Sequence, residues 1–472
     1  MTSKYEILII GDGPGGYVAG IRAGQLGKKV LVVGNNLGGE CLNWGCIPSK
    51  ALISAANHYH DLNHLDTMGI TVENPRIDMK KLQEWKQSVQ DKLIGGIAQL
   101  LKANKAEYIE GICNFVNDHT VEVAKKSSGE KELIEADNII IAIGTEFISL
   151  PGFQIDEKNI LGAKGALALD HIPEHLLVIG GGIIGMELGS VYAKLGSKLT
   201  VVELMEEFLP GVEPTLVRLL NTNLRKLGVT SYKKSKATSL VHNSDGTMDV
   251  EIETPKEKIK ITVNKVLLSV GKRANTSLLQ LDKAGVNTDK RGFITIDKQC
   301  RTNVPHIYSI GDCTGMPFLA HRASKQGIIA AEVISGMTAS EIDFASMPGA
   351  IFTDPEIAWT GLSESQAKEA GFEVIIGRAA FGASGRALSS GKELGFVRVI
   401  ADATTKSILG VEIVGPNATD LISEAALALE LGATLEDVGH TIHPHPTLPE
   451  MIMEACEQAL GKAIHVMNPK RK

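Results

Sequence analysis

Two cysteines stand five positions apart in the segment Cys41-Leu-Asn-Trp-Gly-Cys46-Ile-Pro-Ser-Lys50. Zinc is the first alternative for paired cysteines, but structural zinc needs four ligands at close spacing, and the other four cysteines are single and scattered. We therefore expect no metal. Five steps along an ideal helix separate two Cα atoms by a rise of about 7.5 Å. The Cα atoms of a disulfide lie at most roughly 7 Å apart. A Cys41–Cys46 bond therefore needs a distorted turn, which Gly45 permits. A strained, accessible disulfide is easily reduced, as a catalytic one should be.

Histidines near the C-terminus are candidates for the base that thiol chemistry needs. Only a thiolate attacks a disulfide, and a free thiol is mostly protonated at neutral pH. His443 and His445 lie in a proline-rich run that continues to Glu450. A lone histidine is more often structural than catalytic, and His443 fits that role.

Two glycine-rich turns, each between an apolar strand and a helix, predict two dinucleotide sites. One such motif alone is weak, but the flanking strand and helix strengthen it. The first two glycines allow a tight turn and close approach to a pyrophosphate, the third allows helix packing, and the helix N-terminus attracts the anion. These glycines are Gly11, Gly13 and Gly16 in the first copy and Gly180, Gly182 and Gly185 in the second.

The two copies differ in the acid that should follow the next strand. Glu203 ends the second copy's next strand, about 20 residues after the glycines, where a carboxylate accepts both ribose hydroxyls and repels a 2′-phosphate. This predicts NAD rather than NADP, although a surface glutamate at a strand end is the alternative. The first copy has Gly34, Asn35 and Asn36 there, and asparagine side chains could bind a ribose only without charge.

Length and composition limit the remaining possibilities. A chain of 472 residues is longer than one hydrophobic core usually supports, which predicts three or four domains. A net charge of -7 without a long basic run argues against nucleic acid. Apolar runs stay short of the roughly 18 residues of a spanning helix, and the N-terminus enters a strand directly, so we expect no membrane association and a cytoplasmic location.

The run from Gly38 to Lys50 resembles the active-site disulfide of the pyridine-nucleotide disulfide oxidoreductases, in the form seen in dihydrolipoamide dehydrogenases. The resemblance covers essentially the whole chain. It implies an α/β fold with two Rossmann-like dinucleotide-binding domains plus a C-terminal α+β dimerisation domain. The implied domains are 1–150 binding FAD and carrying the disulfide, 151–270 binding NAD, 271–345 completing the FAD site, and 346–472 forming the interface.

The resemblance also assigns roles around the disulfide. It makes Cys46 the thiol that faces the flavin and Cys41 the thiol that meets substrate. Lys50 would lie near the flavin and pair with Glu187.

At the C-terminus, the resemblance makes His445 the base, oriented by Glu450. Relatives reach this histidine across a dimer interface, so a homodimer is implied. Asp312 would accept a hydrogen bond from a ribityl hydroxyl of the flavin, although Gly-Asp after a strand can also be only a turn. The implied cofactor contacts are Gly11, Gly13, Gly16, Lys50, Gly144, Gly311, Asp312 and Ala320 for FAD, and Gly180, Gly182, Gly185, Glu203 and Gly271 for NAD.

The implied function is oxidation of protein-bound dihydrolipoamide by NAD⁺, as a component of 2-oxoacid dehydrogenase or glycine cleavage complexes. No lipoyl domain precedes Tyr5, so we expect the lipoyl group on an acyltransferase or carrier protein. Two other enzyme types of the same class are disfavoured. Glutathione-type reductases usually place arginines where Glu203 stands, and mercuric reductases carry a C-terminal cysteine pair, and neither feature is present in this sequence. A non-catalytic subunit or an NADH sensor that has lost its flavin is the alternative from another class, and the intact set of Cys41, Cys46, His445 and Glu450 argues against it.

Overall fold

The computed structural model describes residues 3–337, 341 and 343–469, and these form alternating strands and helices. In chain order the strands are β1 (Ser3–Ile10), β2 (Val30–Gly34), β3 (Glu107–Phe115), β4 (Thr120–Lys125), β5 (Lys131–Ile141), β6 (Thr145–Phe147), β7 (Ile160–Leu161), β8 (His175–Ile179), β9 (Lys198–Val202), β10 (Thr230–Tyr232), β11 (Lys236–His242), β12 (Met248–Glu253), β13 (Lys258–Val263), β14 (Lys265–Leu268), β15 (Lys272–Ala274), β16 (Ile307–Ser309), β17 (Gly349–Ile351), β18 (Glu356–Gly361), β19 (Val374–Ala380), β20 (Phe396–Asp402) and β21 (Ile408–Gly415).

The α-helices are α1 (Pro14–Gln25), α2 (Gly39–Trp44), α3 (Cys46–Asp61), α4 (Met79–Ala103), α5 (Ala163–Leu167), α6 (Ile183–Leu195), α7 (Pro214–Lys226), α8 (Ala320–Ile334), α9 (Glu364–Glu369), α10 (Gly385–Ser389), α11 (Ala418–Glu430), α12 (Leu435–His440) and α13 (Glu450–Ala459). Short 3₁₀ helices span Leu62–Met68, Thr276–Leu278, Leu281–Ala284, Gly311–Thr314 and Phe381–Ala383.

The chain forms two compact units, each built from two segments. The first unit is Met1–Ile172 with Lys265–Ile342, and the second is Pro173–Asn264 with Asp343–Lys472. In the first unit β7 pairs in parallel with β14. The four-domain division stays a prediction.

The first unit is organised around a sheet whose central strands are parallel. β1 pairs in parallel with β2 and β5, and β5 pairs in parallel with β16, whereas β4 runs antiparallel to β3 and β5. Parallel strands covered on both faces read as continuous apolar runs, and residues 7–10 of β1 are almost fully buried. One face packs on α1 and α8, where a Cβ at Gly327 would lie 2.5 Å from the Gly15 carbonyl oxygen. The sheet edge carrying the first glycine turn is thereby fixed against two helices.

The second unit combines a parallel sheet with antiparallel ones. β8, β9 and β10 are parallel, with α6 after β8 and α7 after β9, and β11, β12 and β13 form an antiparallel meander. Five antiparallel strands follow in the order β17-β18-β21-β20-β19. A core of small and branched apolar side chains joins this sheet to α11 and α13, and Gly377 on β19 allows the contact because a Cβ there would lie 1.8 Å from the Ala455 carbonyl oxygen.

None of the described helices combines the length and the apolar character needed to cross a membrane.

Candidate active site

The two cysteines lie on either side of a break between two helices. Cys41 is on α2, which ends at Trp44, and Cys46 is the first residue of α3. Gly45 has φ −138° and ψ −118°, far from helical values, and a Cβ there would lie 2.9 Å from the Glu40 carbonyl oxygen. The break brings the thiols within hydrogen-bonding reach of each other, and both are free thiols in this structure.

The two thiols hold their protons unequally. A hydrogen bond from Cys41 lowers the pKa of the Cys46 thiol, and the positive charge of Lys50 helps this bond to outweigh the opposing effect of burial. The same hydrogen bond raises the pKa of Cys41, and burial raises it further. Cys46 is also at the N-terminus of the 16-residue α3, where the helix dipole favours a thiolate. In the reduced pair, Cys46 is therefore the sulfur that carries the negative charge.

Two residues that sequence reasoning missed hold α2 in place. Gln90, buried on α4, donates from Nε2 to the carbonyl oxygens of Leu42 and Asn43, both at 2.8 Å. The last carbonyls of a helix have no partners within it, so this amide satisfies two that the break at Gly45 leaves open. Nothing in the sequence distinguishes Gln90 from a surface residue of a long polar helix.

Lys272 on β15 is the second missed residue. Its largely buried ammonium group forms an ion pair with Glu40, the residue before Cys41. The same ammonium group lies 4.8 Å from the ring centroid of Phe147. Lys272 thus ties the cysteine-bearing helix to the two-stranded ribbon of β6 and β15, and its only sequence signal was its place beside the predicted contact Gly271.

His445 and Glu450 form a hydrogen-bonded pair at the start of α13. His445 Nδ1 and Glu450 Oε1 are 2.8 Å apart, and the Thr447 backbone N–H donates to Glu450 Oε2 at 2.7 Å. Burial would raise the pKa of the Glu450 carboxyl, but the hydrogen bonds from Thr447 and His445 outweigh it and the pKa lies below its usual range. An ionised partner at Nδ1 fixes the tautomer in which Nε2 carries the lone pair.

His443 has the opposite character, although it lies only two residues away. Its Nδ1 is 2.8 Å from the Thr441 carbonyl oxygen and its Nε2 is 2.8 Å from Glu424 Oε1. The His443 side chain is 5% exposed, whereas that of His445 is 78% exposed. Of the two, His445 is the one with an accessible ring nitrogen able to take a proton.

The first glycine turn has the shape that a dinucleotide requires. Gly11 has φ +118° and a Cβ there would lie 2.1 Å from the Ala142 carbonyl oxygen, while a Cβ at Gly16 would lie 1.9 Å from the Gly11 carbonyl oxygen. Gly13 is open by contrast, because a Cβ there would meet no described atom nearer than the Gly39 Cα at 3.8 Å. The backbone is tight at both ends of the turn and accessible in the middle.

The predicted flavin residues farther along the chain belong to the same unit as this turn. Gly311 has φ +74° and precedes Asp312, whose carboxylate lies 3.5 Å from Thr145 Oγ1, one residue after Gly144. Burial raises the pKa of Asp312, and the charge of Lys272 opposes that shift. Ala320 is the first residue of α8.

Gln326 on α8 supplies the test of whether a ligand fits here. Its Oε1 accepts a hydrogen bond from the Gly311 N–H at 2.7 Å, and its Nε2 is buried without a partner among the described residues. Buried amide groups are nearly always hydrogen-bonded. An orphaned donor beside the Gly311 turn, with open backbone at Gly13, fits a bound dinucleotide that carries acceptor oxygens.

The second glycine turn is in the second unit. Gly180 has φ +100°, Gly185 lies in the first turn of α6, and a Cβ at Gly182 would have no described atom within 4 Å. Glu203 is buried after β9, where its two oxygens accept from the N–H groups of Gly181 at 2.6 Å and Met205 at 2.7 Å. The acid therefore lies directly against the turn.

Glu187 and Gly271 are the remaining residues of the predicted site. Glu187 is buried on α6 and accepts a hydrogen bond from the Phe352 N–H at 2.8 Å. Its pairing with Lys50, which lies one turn after Cys46 on α3, stays a prediction. Gly271 has φ +120° and belongs to the first unit, unlike the other residues predicted to contact NAD.

Comparison with known proteins decides the family. Residues 5–327 match the family described as pyridine nucleotide-disulphide oxidoreductase, and residues 347–456 match that family's dimerisation domain. The chain is similar to the dihydrolipoyl dehydrogenases of Haloferax volcanii, at 45% identity over 98% of both chains, and Bacillus subtilis, at 46% identity over 98% of both chains. The crystal structure of LpdA from Mycobacterium tuberculosis matches 97% of this chain and 99% of that one, with a TM-score of 0.90 and 26% identity.

The chain belongs to the pyridine nucleotide-disulphide oxidoreductase family.

Membership of the pyridine nucleotide-disulphide oxidoreductase family confirms the resemblance, the fold class and the oxidoreductase class predicted from the sequence. It also confirms the predicted type of enzyme, one that depends on a flavin and a nicotinamide nucleotide. The C-terminal match confirms a dimerisation domain in the segment predicted to form the interface. The residue roles within this family fold stay predictions.

One group of side chains outside the cysteine region offers metal-binding atoms. Asp118, His119 and His306 each present a ligand atom within 4.8 Å of the others. The two imidazoles stack with centroids 3.8 Å apart and planes only 4° apart. A nitrogen lone pair of imidazole lies in the plane of its ring, and two nearly parallel planes do not meet at a shared ion, so the arrangement is a stacked histidine pair rather than a preformed metal centre.

Proposed function

We propose that the chain oxidises a protein-bound dihydrolipoyl group to the cyclic disulfide and reduces NAD⁺, with FAD as the bound flavin. The observation that carries this proposal is the thiol pair across the helix break, in which Cys46 has the lowered pKa and Cys41 the raised one. The dihydrolipoyl dehydrogenase names of relatives at 45% and 46% identity support the substrate.

The two cofactors have separate sets of residues. FAD is held by the first glycine turn together with Lys50, Gly144, Gly311, Asp312 and Ala320, and NAD by the second turn together with Glu203 and Gly271. A flavin bound there would supply the two-electron chemistry that links the reduced thiols to NAD⁺.

His445 starts the reaction by taking the proton of one dihydrolipoyl thiol on Nε2, while Glu450 holds the resulting imidazolium. The substrate thiolate attacks the Sγ of Cys41 in the oxidised pair, so the Cys41–Cys46 bond breaks and Cys46 leaves as a thiolate. The second substrate thiol attacks the substrate sulfur bonded to Cys41 and gives its proton to the departing Cys41 Sγ. That step closes the lipoyl disulfide and releases the Cys41 thiol. The lowered pKa of Cys46 makes it the better leaving group.

We extend the proposal to assembly and location. The dimerisation domain forms a homodimer in which His445 of one chain serves the thiol pair of the other, and the lipoyl group is carried on an acyltransferase or carrier protein. The pairing of Lys50 with Glu187 and the four-domain division belong to this proposal, as does a cytoplasmic location.

The test is anaerobic mixing of the purified protein with dihydrolipoamide while the flavin spectrum is recorded. We expect a long-wavelength absorbance band from the Cys46 thiolate beside oxidised flavin. His445→Gln should slow this reduction about 10²-fold or more, since general base catalysis contributes that much, while reduction of the flavin by NADH is retained.

His465→Gln is the matched control, because His465 also pairs with a glutamate, Glu454, at 2.7 Å and its side chain is 66% exposed. Dihydrolipoamide should reduce the flavin of His465→Gln at the wild-type rate. Equal rates of reduction by dihydrolipoamide in His445→Gln and wild type would show that His445 is not the base. A flavin spectrum that does not change on adding dihydrolipoamide would show that this dithiol is not the substrate.

A further inference from the structure

The two glycine turns can be aligned by a hydrogen bond that both contain. In the first, the Gly11 N–H donates to the Val33 carbonyl oxygen at 2.7 Å, and in the second the Gly180 N–H donates to the Val202 carbonyl oxygen at 2.9 Å. Each bond joins the first glycine of a turn to the last apolar residue of the neighbouring strand. The residues that follow these four are therefore at equivalent positions in the two turns.

At these equivalent positions the acid and the glycine are exchanged. In the second turn the strand is followed by Glu203, and the first glycine is followed by Gly181. In the first turn the strand is followed by Gly34, and the first glycine is followed by Asp12. The chain therefore has one carboxylate in each turn, provided from opposite sides.

Each of the two extra glycines leaves room for neighbouring side chains. A Cβ at Gly34 would lie 2.1 Å from the Asp12 Cγ, so the Asp12 carboxyl group occupies the space that a side chain at position 34 would enter. A Cβ at Gly181 would lie 3.2 Å from Glu203 Oε2 and 2.3 Å from Phe208 Cδ1. The Asp12 carboxyl group thus fills the space at Gly34, whereas Phe208 fills most of the space at Gly181, with Glu203 beside it.

The same backbone donor marks the position of both carboxylates. The N–H two residues beyond Gly34 belongs to Asn36 and donates to Asp12 Oδ2 at 2.9 Å. The N–H two residues beyond Glu203 belongs to Met205 and donates to Glu203 Oε1 at 2.7 Å. Asp12 therefore makes the contact in the first turn that Glu203 makes in the second.

Asp12 is held in a way that suits ligand binding. The Tyr108 hydroxyl also donates to Oδ2, at 3.0 Å, so the hydrogen bonds from Tyr108 and Asn36 end on the same oxygen. Oδ1 is therefore the oxygen that we expect to accept from a ligand. Asp12 is 6% exposed, and burial raises the pKa of its carboxyl group. A carboxylate kept in such a place costs stability, and a ligand hydroxyl that donates to it offsets that cost.

We infer that Asp12 is the ribose-binding acid of the first site and accepts a hydrogen bond from the adenosine ribose of FAD. This inference rests on the proposed function, in which the first turn binds FAD. It replaces the sequence-based expectation of an uncharged ribose contact at Asn35 or Asn36.

The experiment titrates full-length protein freed of flavin with FAD and, separately, with FMN, which lacks the adenosine. Asp12→Ala should weaken FAD about 10- to 100-fold, the range for a hydrogen bond to a charged group. FMN affinity should stay within about threefold, because that flavin has no group near Asp12. The double variant Asp12→Gly/Gly34→Glu moves the acid to the strand end, as in the second turn, and removes the Asp12 Cβ, which would lie 2.4 Å from a Cβ at position 34. It should recover most of the FAD affinity.

Asp12→Asn keeps the side-chain shape and serves if the alanine variant fails to fold; it should show the same selective loss of FAD. Equal weakening of FAD and FMN, or unchanged FAD affinity, would overturn the inference while leaving the proposed function intact. A wild-type protein that binds neither flavin would overturn both.

Discussion

The two glycine turns of this chain differ in sequence and agree in what they place beside the nucleotide-binding backbone. The second provides its acid from the strand end, at Glu203, and keeps Gly181 in the loop. The first provides Asp12 from the loop and keeps Gly34 at the strand end. What the fold specifies is a carboxylate bonded to one particular backbone N–H, and either of two chain positions can supply it.

The strongest way to break the comparison is to substitute a glycine that is packed directly against backbone. Gly16→Ala puts a Cβ 1.9 Å from the Gly11 carbonyl oxygen, which is backbone and cannot move aside. We expect a loss of about 3 kcal/mol or more in the free energy of unfolding, together with loss of FAD from the purified protein. Urea unfolding and flavin content measure this.

Gly182→Ala is the matched control, because its Cβ would have no described atom within 4 Å. It should unfold close to wild type while binding NADH more weakly, since the methyl group enters the space kept open for a ligand. Equal destabilisation by the two variants would contradict the packing difference described for them.

The second prediction concerns the acid of the second turn. Glu203→Ala should weaken NADH about 10- to 100-fold and narrow the preference over NADPH, because the carboxylate that repels a 2′-phosphate is gone. Fluorescence titration with both nucleotides measures the ratio. Glu206→Ala is the control, as this exposed glutamate pairs with Lys234 on the surface. If Glu203→Ala keeps the wild-type preference for NADH over NADPH, Glu203 does not bind the ribose, and its likeness to Asp12 does not extend to function.

The smallest effect is a pH dependence of stability in the flavin-free protein. Burial and the charge of Glu110 raise the pKa of Asp12, while the hydrogen bonds from Tyr108 and Asn36 lower it, and the net pKa lies above the ordinary 3.8. The folded state then holds this proton more tightly than the unfolded state. The stability that protonated Asp12 contributes is full below the ordinary pKa and is lost as pH rises through the raised one.

Asp12→Asn should remove this part of the slope and, at neutral pH, match or exceed wild type by about 1 kcal/mol. Urea unfolding of both proteins across pH 4 to 8 shows the difference. Parallel curves would mean that ionising Asp12 costs nothing in the folded state.

The sequence predicts well those features that are local in the chain. The spacing of Gly11, Gly13 and Gly16 places a turn between a strand and a helix, and Glu203 follows its strand at the expected distance. A search for an acid at the strand end misses Asp12, because its position inside the glycine motif reads as a variable residue. Its contact with position 34 is made by folding and has no pattern in the sequence.

Contacts between distant segments could not be predicted for the same reason. Gln90 reaches Leu42 and Asn43 from another helix, and Lys272 reaches Glu40 across more than two hundred residues. Polar residues of this kind are common on surfaces, so residue type alone carries little information about them. The contrast between His443 and His445 is also a matter of folding, since burial and not spacing separates the covered ring from the accessible one.

The hydrogen bonds from Gln90 have a consequence for the proposed reaction. In each turnover a sulfur–sulfur bond opens and closes between a residue of α2 and the first residue of α3. Two bonds of 2.8 Å fasten the end of α2 to α4, and neither bond involves a sulfur atom, so we expect the backbone beside Cys41 to keep this support when the two sulfurs are joined. We therefore expect the change in bonding to be taken up mainly by rotation of the two cysteine side chains, with little reorganisation of the backbone.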